Sequence, residues 1–288
     1  MIDKNNMNCL EIGFQYLWRF YRLLKDSFAL EIHVADHCNL NCISCTHYSP
    51  LVKSGFVDLE QLKKDLEVLK RKKLIMLFKE IRLMGGEPLL HPNVYDVIRI
   101  TREFFPSTKI VLVTNGLLMN KTPMVFMEAC QKYDIVLAIT KYPINIDLEA
   151  SILYYKRNGI KLKVYGDRTQ THAFYQSKLS ANSNNSKWEN YYKCFDSRCM
   201  QLRNGKLYPC PQSAYVSMLN KFFGCNFKHK KEDFISLDKL NYVNLLTFRF
   251  KPKPFCKYCV FPRNHVNWGK SERKGEEWIE GINEFETK

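Results

Sequence analysis

The stretch "HCNLNCISC", residues 37–45, spaces three cysteines as Cys38-x3-Cys42-x2-Cys45. Three thiolates this close together can surround a metal centre on three sides. A structural zinc would need a fourth ligand, which His37 or His47 is near enough in sequence to supply. A disulfide needs an even count and an oxidising compartment. Two further stretches carry polar groups at the ends of apolar runs: "MGGEPLLHP" (84–92) and "VTNG" (113–116). Paired glycines at such a place let the backbone approach a ligand closely. Far downstream lie Cys194, Cys199, Cys210, Cys225, Cys256 and Cys259, with Cys256-x2-Cys259 spaced like a pair of metal ligands.

The elements that must position these groups follow from hydrophobic periodicity. Strands are expected over 29–35, 79–86, 109–116, 135–140 and 160–166, separated by helices over 58–73, 91–105, 122–133 and 147–158. Such alternation implies right-handed βαβ units and a parallel sheet. Five strands are clear and a sixth is not. The three cysteines then stand at the carboxyl end of the first strand, where α/β folds place their ligand sites. Thr140 and Lys141, and residues 165–168, stand at the same edge after later strands. The polar, Ser/Asn-rich run 167–193 breaks the period, and 9–27 reads as an amphipathic helix. Cys9 and Cys130 fall within helical patterns and are expected in the core.

Composition narrows the class. With 45% hydrophobic residues and no low-complexity tract, the chain reads as a folded globular protein. Its most apolar early run, "FQYLWRFYRLL", is too short and too charged to span a bilayer, and no membrane association is expected. No export signal is recognisable, so a cytoplasmic location is expected. There, cysteines serve as metal ligands or catalytic groups rather than disulfides. The net charge of +15 favours anionic partners but is spread over several lysine runs. No motif supports nucleic-acid binding.

The Cys-x3-Cys-x2-Cys spacing at the end of a first strand resembles the signature of radical S-adenosylmethionine (radical SAM) enzymes. That resemblance implies a [4Fe-4S] cluster on Cys38, Cys42 and Cys45, with SAM chelated at the fourth iron and cleaved on reduction to a 5'-deoxyadenosyl radical. It departs in one place, since Ser44 stands where the family often has an aromatic residue. Gly85, Gly86, Glu87 and Pro88 match the family's Gly-Gly-Glu-Pro element, which implies contacts to the SAM amino group. Thr114 and Asn115 match a Thr-Asn-Gly placed near the ribose, and Thr140 and Lys141 are further candidates at the cofactor. The tail resembles the SPASM/twitch subgroup, implying a second, auxiliary [4Fe-4S] cluster. Its expected ligands are Cys210, Cys256 and Cys259, with Cys199 preferred over Cys194 as the fourth. Zinc on the same thiolates is the competing reading.

The implied fold is α/β, a partial (β/α)6 TIM-like barrel over 29–193, with an N-terminal helical extension over 1–28 and a cysteine-rich auxiliary-cluster domain over 194–288. The implied reaction removes hydrogen from a small polar substrate such as a sugar, nucleotide-sugar or aminocyclitol, giving dehydrogenation or epimerisation. Flavodoxin or ferredoxin is the expected electron donor. Cys194 or Cys225, whichever is left over, is a candidate hydrogen donor. Two other readings stand: a peptide or protein maturase of the same superfamily, and a zinc-stabilised module that binds nucleic acid or protein.

Overall fold

The computed structural model describes residues 28–165, 173–182 and 185–281. The expected helix over 9–27, with Cys9, and residues 166–168 lie outside these.

The expected alternation is present. Strands β1 (Phe28–Ala35), β2 (Phe78–Gly85), β3 (Lys109–Thr114), β4 (Ile135–Thr140) and β5 (Lys161–Tyr165) run parallel in the sheet order β5-β4-β3-β2-β1. Between them lie α1 (Leu59–Arg71), α2 (Val94–Phe104), α3 (Met124–Lys132) and α4 (Glu149–Arg157). Period-two alternation divides the faces of the sheet. Leu30, Ile32 and Val34 of β1 join Ile81, Leu83, Ile110, Leu112 and Leu137 in a core that buries Leu62, Leu66 and Leu69 of α1. Glu31 and His33 occupy the other face, also buried. Local signals end the helices where expected: Asp58 accepts from the Gln61 amide at 2.7 Å, and Gly159, at φ +72°, follows α4.

Beyond β5 the chain forms β6 (Ala173–Tyr175), α5 (Lys187–Lys193), β7 (Met200–Arg203), β8 (Lys206–Tyr208), α6 (Pro211–Phe223), β9 (Ile235–Ser236), α7 (Tyr242–Phe250) and β10 (His265–Asn267). Strand β7 pairs parallel with β1, on the side away from β2. Among the described residues the sheet therefore has six parallel strands, and the one that periodicity left undefined comes from 200–203 rather than from before 193. Four residues are too short a run to show a period. β8 and β9 extend the edge antiparallel, with Asn204-Gly205, both at positive φ, as the two-residue turn. β6 and β10 form a separate antiparallel pair.

Buried polar groups fasten this new edge. Gln201 of β7 donates to Glu31 of β1 and accepts from the Tyr215 hydroxyl at 2.7 Å, while Glu31 also pairs with Arg82 of β2 at 3.0 Å. A second core, including Tyr48, Leu179, Tyr215, Leu219, Phe255 and Trp278, lies beside the cysteine loop. Tyr215→Phe leaves a buried Gln201 oxygen without its donor and should cost about 1–3 kcal/mol. Amide exchange should then rise in β1 as well as β7; a rise confined to 200–281 would contradict a shared sheet.

Candidate functional site

The loop after β1 carries Cys38, Cys42 and Cys45, and all three line one cavity of about 240 Å³. Its base is anchored by Asp36, which accepts from both ends of the Arg203 guanidinium, at 2.8 and 3.1 Å. Gly85, Gly86, Thr114, Asn115 and Thr140 line the same cavity from the carboxyl ends of β2, β3 and β4. Four strand ends thus converge on one space, as the sheet topology requires of neighbouring parallel strands. His47, Tyr142 and Tyr175 complete the wall, and no local sequence signal marked the two tyrosines.

The glycines have a sharper reason than ligand approach. A Cβ on Gly86 would lie 2.0 Å from the His37 carbonyl oxygen. On Gly85, at φ +142°, it would lie 2.4 Å from the His33 ring. Only a bare backbone lets the end of β2 pass against the cysteine loop, and the Gly86 and Glu87 amides then donate to the Ala35 and His37 carbonyls at 2.7 and 3.0 Å. The Glu87 carboxylate is buried rather than lining the cavity. It accepts from Thr114 Oγ1 at 2.7 Å and from the Asn115 and Leu89 amides at 2.9 and 3.0 Å. Pro88 opens the short turn that follows. The role that the structure shows for Glu87 is to set Thr114 and Asn115, and Asn115 Nδ2 in turn donates to Asn39 and toward Cys38 Sγ, at 2.8 and 3.6 Å. Lys141 pairs with Glu149 of α4, and unlike Thr140 it is not among the residues lining the cavity.

A segment more than two hundred residues away covers the loop. Trp268 Nε1 donates to Cys42 Sγ at 3.2 Å, the Ile43 amide to the Gly269 carbonyl at 2.8 Å, and Trp278 Nε1 to the Cys45 carbonyl at 2.9 Å. Ser44 is buried at φ +54°, with its amide on the Glu277 carboxylate and its hydroxyl on the Glu277 carbonyl. An aromatic side chain there would displace that contact, which accounts for the departure at Ser44.

The downstream cysteines divide differently from the expectation. Cys194, Cys210, Cys256 and Cys259 line a second, tight cavity of about 20 Å³, together with Asn190, Gln212 and Lys253. Asn190 Nδ2 donates to the Cys256 and Cys259 carbonyls at 2.8 and 2.6 Å, fixing the Cys-x2-Cys turn. Arg263 donates to Cys194 Sγ at 3.4 Å. Cys199, the preferred fourth member, is not among the lining residues; its thiol meets Glu31 instead. Both positions satisfy the linear spacing, and only the fold separates them. Cys225 packs beside the second core after α6 and lines neither cavity, so neither of the two hydrogen-donor candidates stands at the first one. Cys130 is buried in the main core.

Electrostatics fit both sets to a cationic centre. Burial pushes Cys38 up to about 11 and Cys42 to about 12, and neighbouring thiolates push further. Burial likewise raises Cys256 to about 11, with Cys194 adding to it. Such clusters of thiols cannot ionise together unless a positive centre binds them. Sulfur-directed N–H groups, from Leu40 to Cys38 at 3.4 Å and from Trp268 to Cys42, suit thiolates. Among the described residues no three His, Cys, Asp or Glu side chains converge closely enough for a single metal ion. Tyr48, fully buried with its hydroxyl unpartnered, lies within electrostatic reach of both Cys45 and the Cys210–Cys259 set.

Burial also raises Glu87 to about 7, despite its three donors. Between about pH 4.5 and 7 the folded chain holds a proton there that the unfolded chain releases, so stability falls as pH rises through that window. Glu87→Gln, at fixed iron content, should flatten this part of the profile. Profiles of the two proteins that stay parallel from pH 4.5 to 7 would contradict it.

The Radical SAM superfamily profile matches residues 32–150. The GTP 3',8-cyclase of Microcystis aeruginosa is 31% identical over 103 residues, 35% of this chain and 31% of that protein. That of Corynebacterium glutamicum is 34% identical over 110 residues, 36% and 28%. The chain thus spans about a third of the length of these curated relatives. Among solved structures, BtrN in complex with AdoMet and 2-DOIA is 17% identical, with a TM-score of 0.49 over 81% of this chain and 93% of that one. Native anSMEcpe with bound AdoMet is 19% identical, with a TM-score of 0.38 over 47% and 42%. Residues 32–150, which hold the three-cysteine loop and the strand ends that face it, match a radical SAM domain.

Proposed function

We propose that the chain oxidises a small polar molecule, using a SAM-binding [4Fe-4S] cluster on Cys38, Cys42 and Cys45 and an auxiliary [4Fe-4S] cluster on Cys194, Cys210, Cys256 and Cys259. The observation that carries this reading is the division of the cysteines into two cavities, one lined by three thiols and the other by four. Three leave a coordination position for a chelating ligand; four leave none. When bound, the first cluster and SAM supply the radical that removes a hydrogen atom from a substrate carbon.

The chain's own residues supply the rest. Backbone at Gly85 and Gly86, held by Glu87, presents the carboxyl ends of β2 and β3 to SAM, with Asn115 and Thr140 beside them. The charge of +15 suits a phosphorylated or nucleotide-linked substrate. The same charge suits an acidic electron donor such as flavodoxin or ferredoxin. With Cys194 in the four-thiol set and Cys225 beside the second core, away from the first cavity, dehydrogenation is favoured over epimerisation. An auxiliary cluster held by Cys194, Cys210, Cys256 and Cys259 would supply an acceptor for the electron that a substrate radical must lose, and with the hydroxyl proton passing to solvent the product would be a carbonyl.

Anaerobically purified protein should be brown and hold roughly eight irons and eight sulfides per chain. With SAM and dithionite it should release 5'-deoxyadenosine, and Cys38→Ala should abolish this while Cys256→Ala lowers iron by about half. Colourless protein that holds zinc, or release by Cys38→Ala, would overturn the reading.

A further inference from the structure

We infer that the Lys253 ammonium is the counter-cation of the four-thiol centre and raises its affinity for an electron. Lys253 is only 5% exposed, lines the cavity with the four cysteines, and stands over the Phe248 ring at 3.8 Å. Buried Asp233 lies within electrostatic reach, but its two oxygens accept from the Lys230 and Phe255 amides at 2.6 and 2.7 Å, and Lys253 forms no ion pair with it. A buried ammonium without an anion is costly, and chains rarely keep one unless an opposite charge repays it. Four thiolates around an iron–sulfur centre are that charge, and each added electron makes it more negative.

The other buried cation nearby acts differently. Arg263 donates to Cys194 Sγ, but Asp196 takes up its charge at 2.8 Å. Lys253, which lines this cavity, has no such ion pair. The chain also supplies its own control: Lys257 lies between Cys256 and Cys259 in sequence but is exposed, where water screens it. Proximity in sequence and burial at the cavity therefore make opposite predictions for the two lysines.

This inference rests on the auxiliary-cluster reading, and a potentiometric EPR titration of the holoenzyme separates the two. Lys253→Met should lower the equilibrium constant for reduction of the second centre at least tenfold, about 59 mV for one electron. It should leave the first centre unmoved and the iron content near that of the parent protein. Lys253→Arg should restore the parent value, and Lys257→Met should change it less than threefold. An effect of Lys253→Met no larger than that of Lys257→Met, at full iron content, overturns the inference alone. Zinc in the four-thiol site overturns both this inference and the reading beneath it.

Discussion

The contact on which the site depends is the passage of Gly86-Glu87 beneath the cysteine loop. No side chain fits at Gly86, because the His37 carbonyl occupies the place of its Cβ. The following residue is then tied in two directions, by its amide to His37 and by its carboxylate to Thr114 and the Asn115 amide. One dipeptide therefore joins the ends of β1, β2 and β3. Displacing it would move the cysteines and the polar strand ends together, because they share these buried bonds.

A second layer of order comes from far along the chain. Trp268, Trp278 and Glu277 cap the cysteine loop from outside, and β7 completes the sheet beside β1. The 194–281 segment is thus built into the same structure as the loop it covers. Glu31 shows how closely: it pairs with Arg82 on one side, accepts from Gln201 on the other, and meets the Cys199 thiol. A burial that costs the acid its hydration is offset by donors from both halves of the chain.

Much of this was legible in sequence because it is local. The five strands and four helices of the first half carry strong periodicity, and the three cysteines, the paired glycines and Thr114-Asn115 fall at strand ends by counting alone. What escaped is non-local. Cys194 and Cys199 satisfy the same linear spacing, and only the packing of α5 against the Cys256–Cys259 turn decides which one joins the cavity. β7 is too short to show a period, and Glu87 reads as a ligand until its three buried donors are seen. Tyr142 and Tyr175 carried no signal, whereas the two tryptophans in the otherwise polar run 268–278 were a signal that could have been read.

The central claim is that the two cysteine sets differ in kind, one open to a chelating ligand and one complete. EPR of the dithionite-reduced holoenzyme, recorded with and without SAM, tests this most directly. Two reduced-cluster signals are expected, of which SAM shifts one and leaves the other unchanged. Two signals that both shift, or a single signal in protein that also holds zinc, would contradict it.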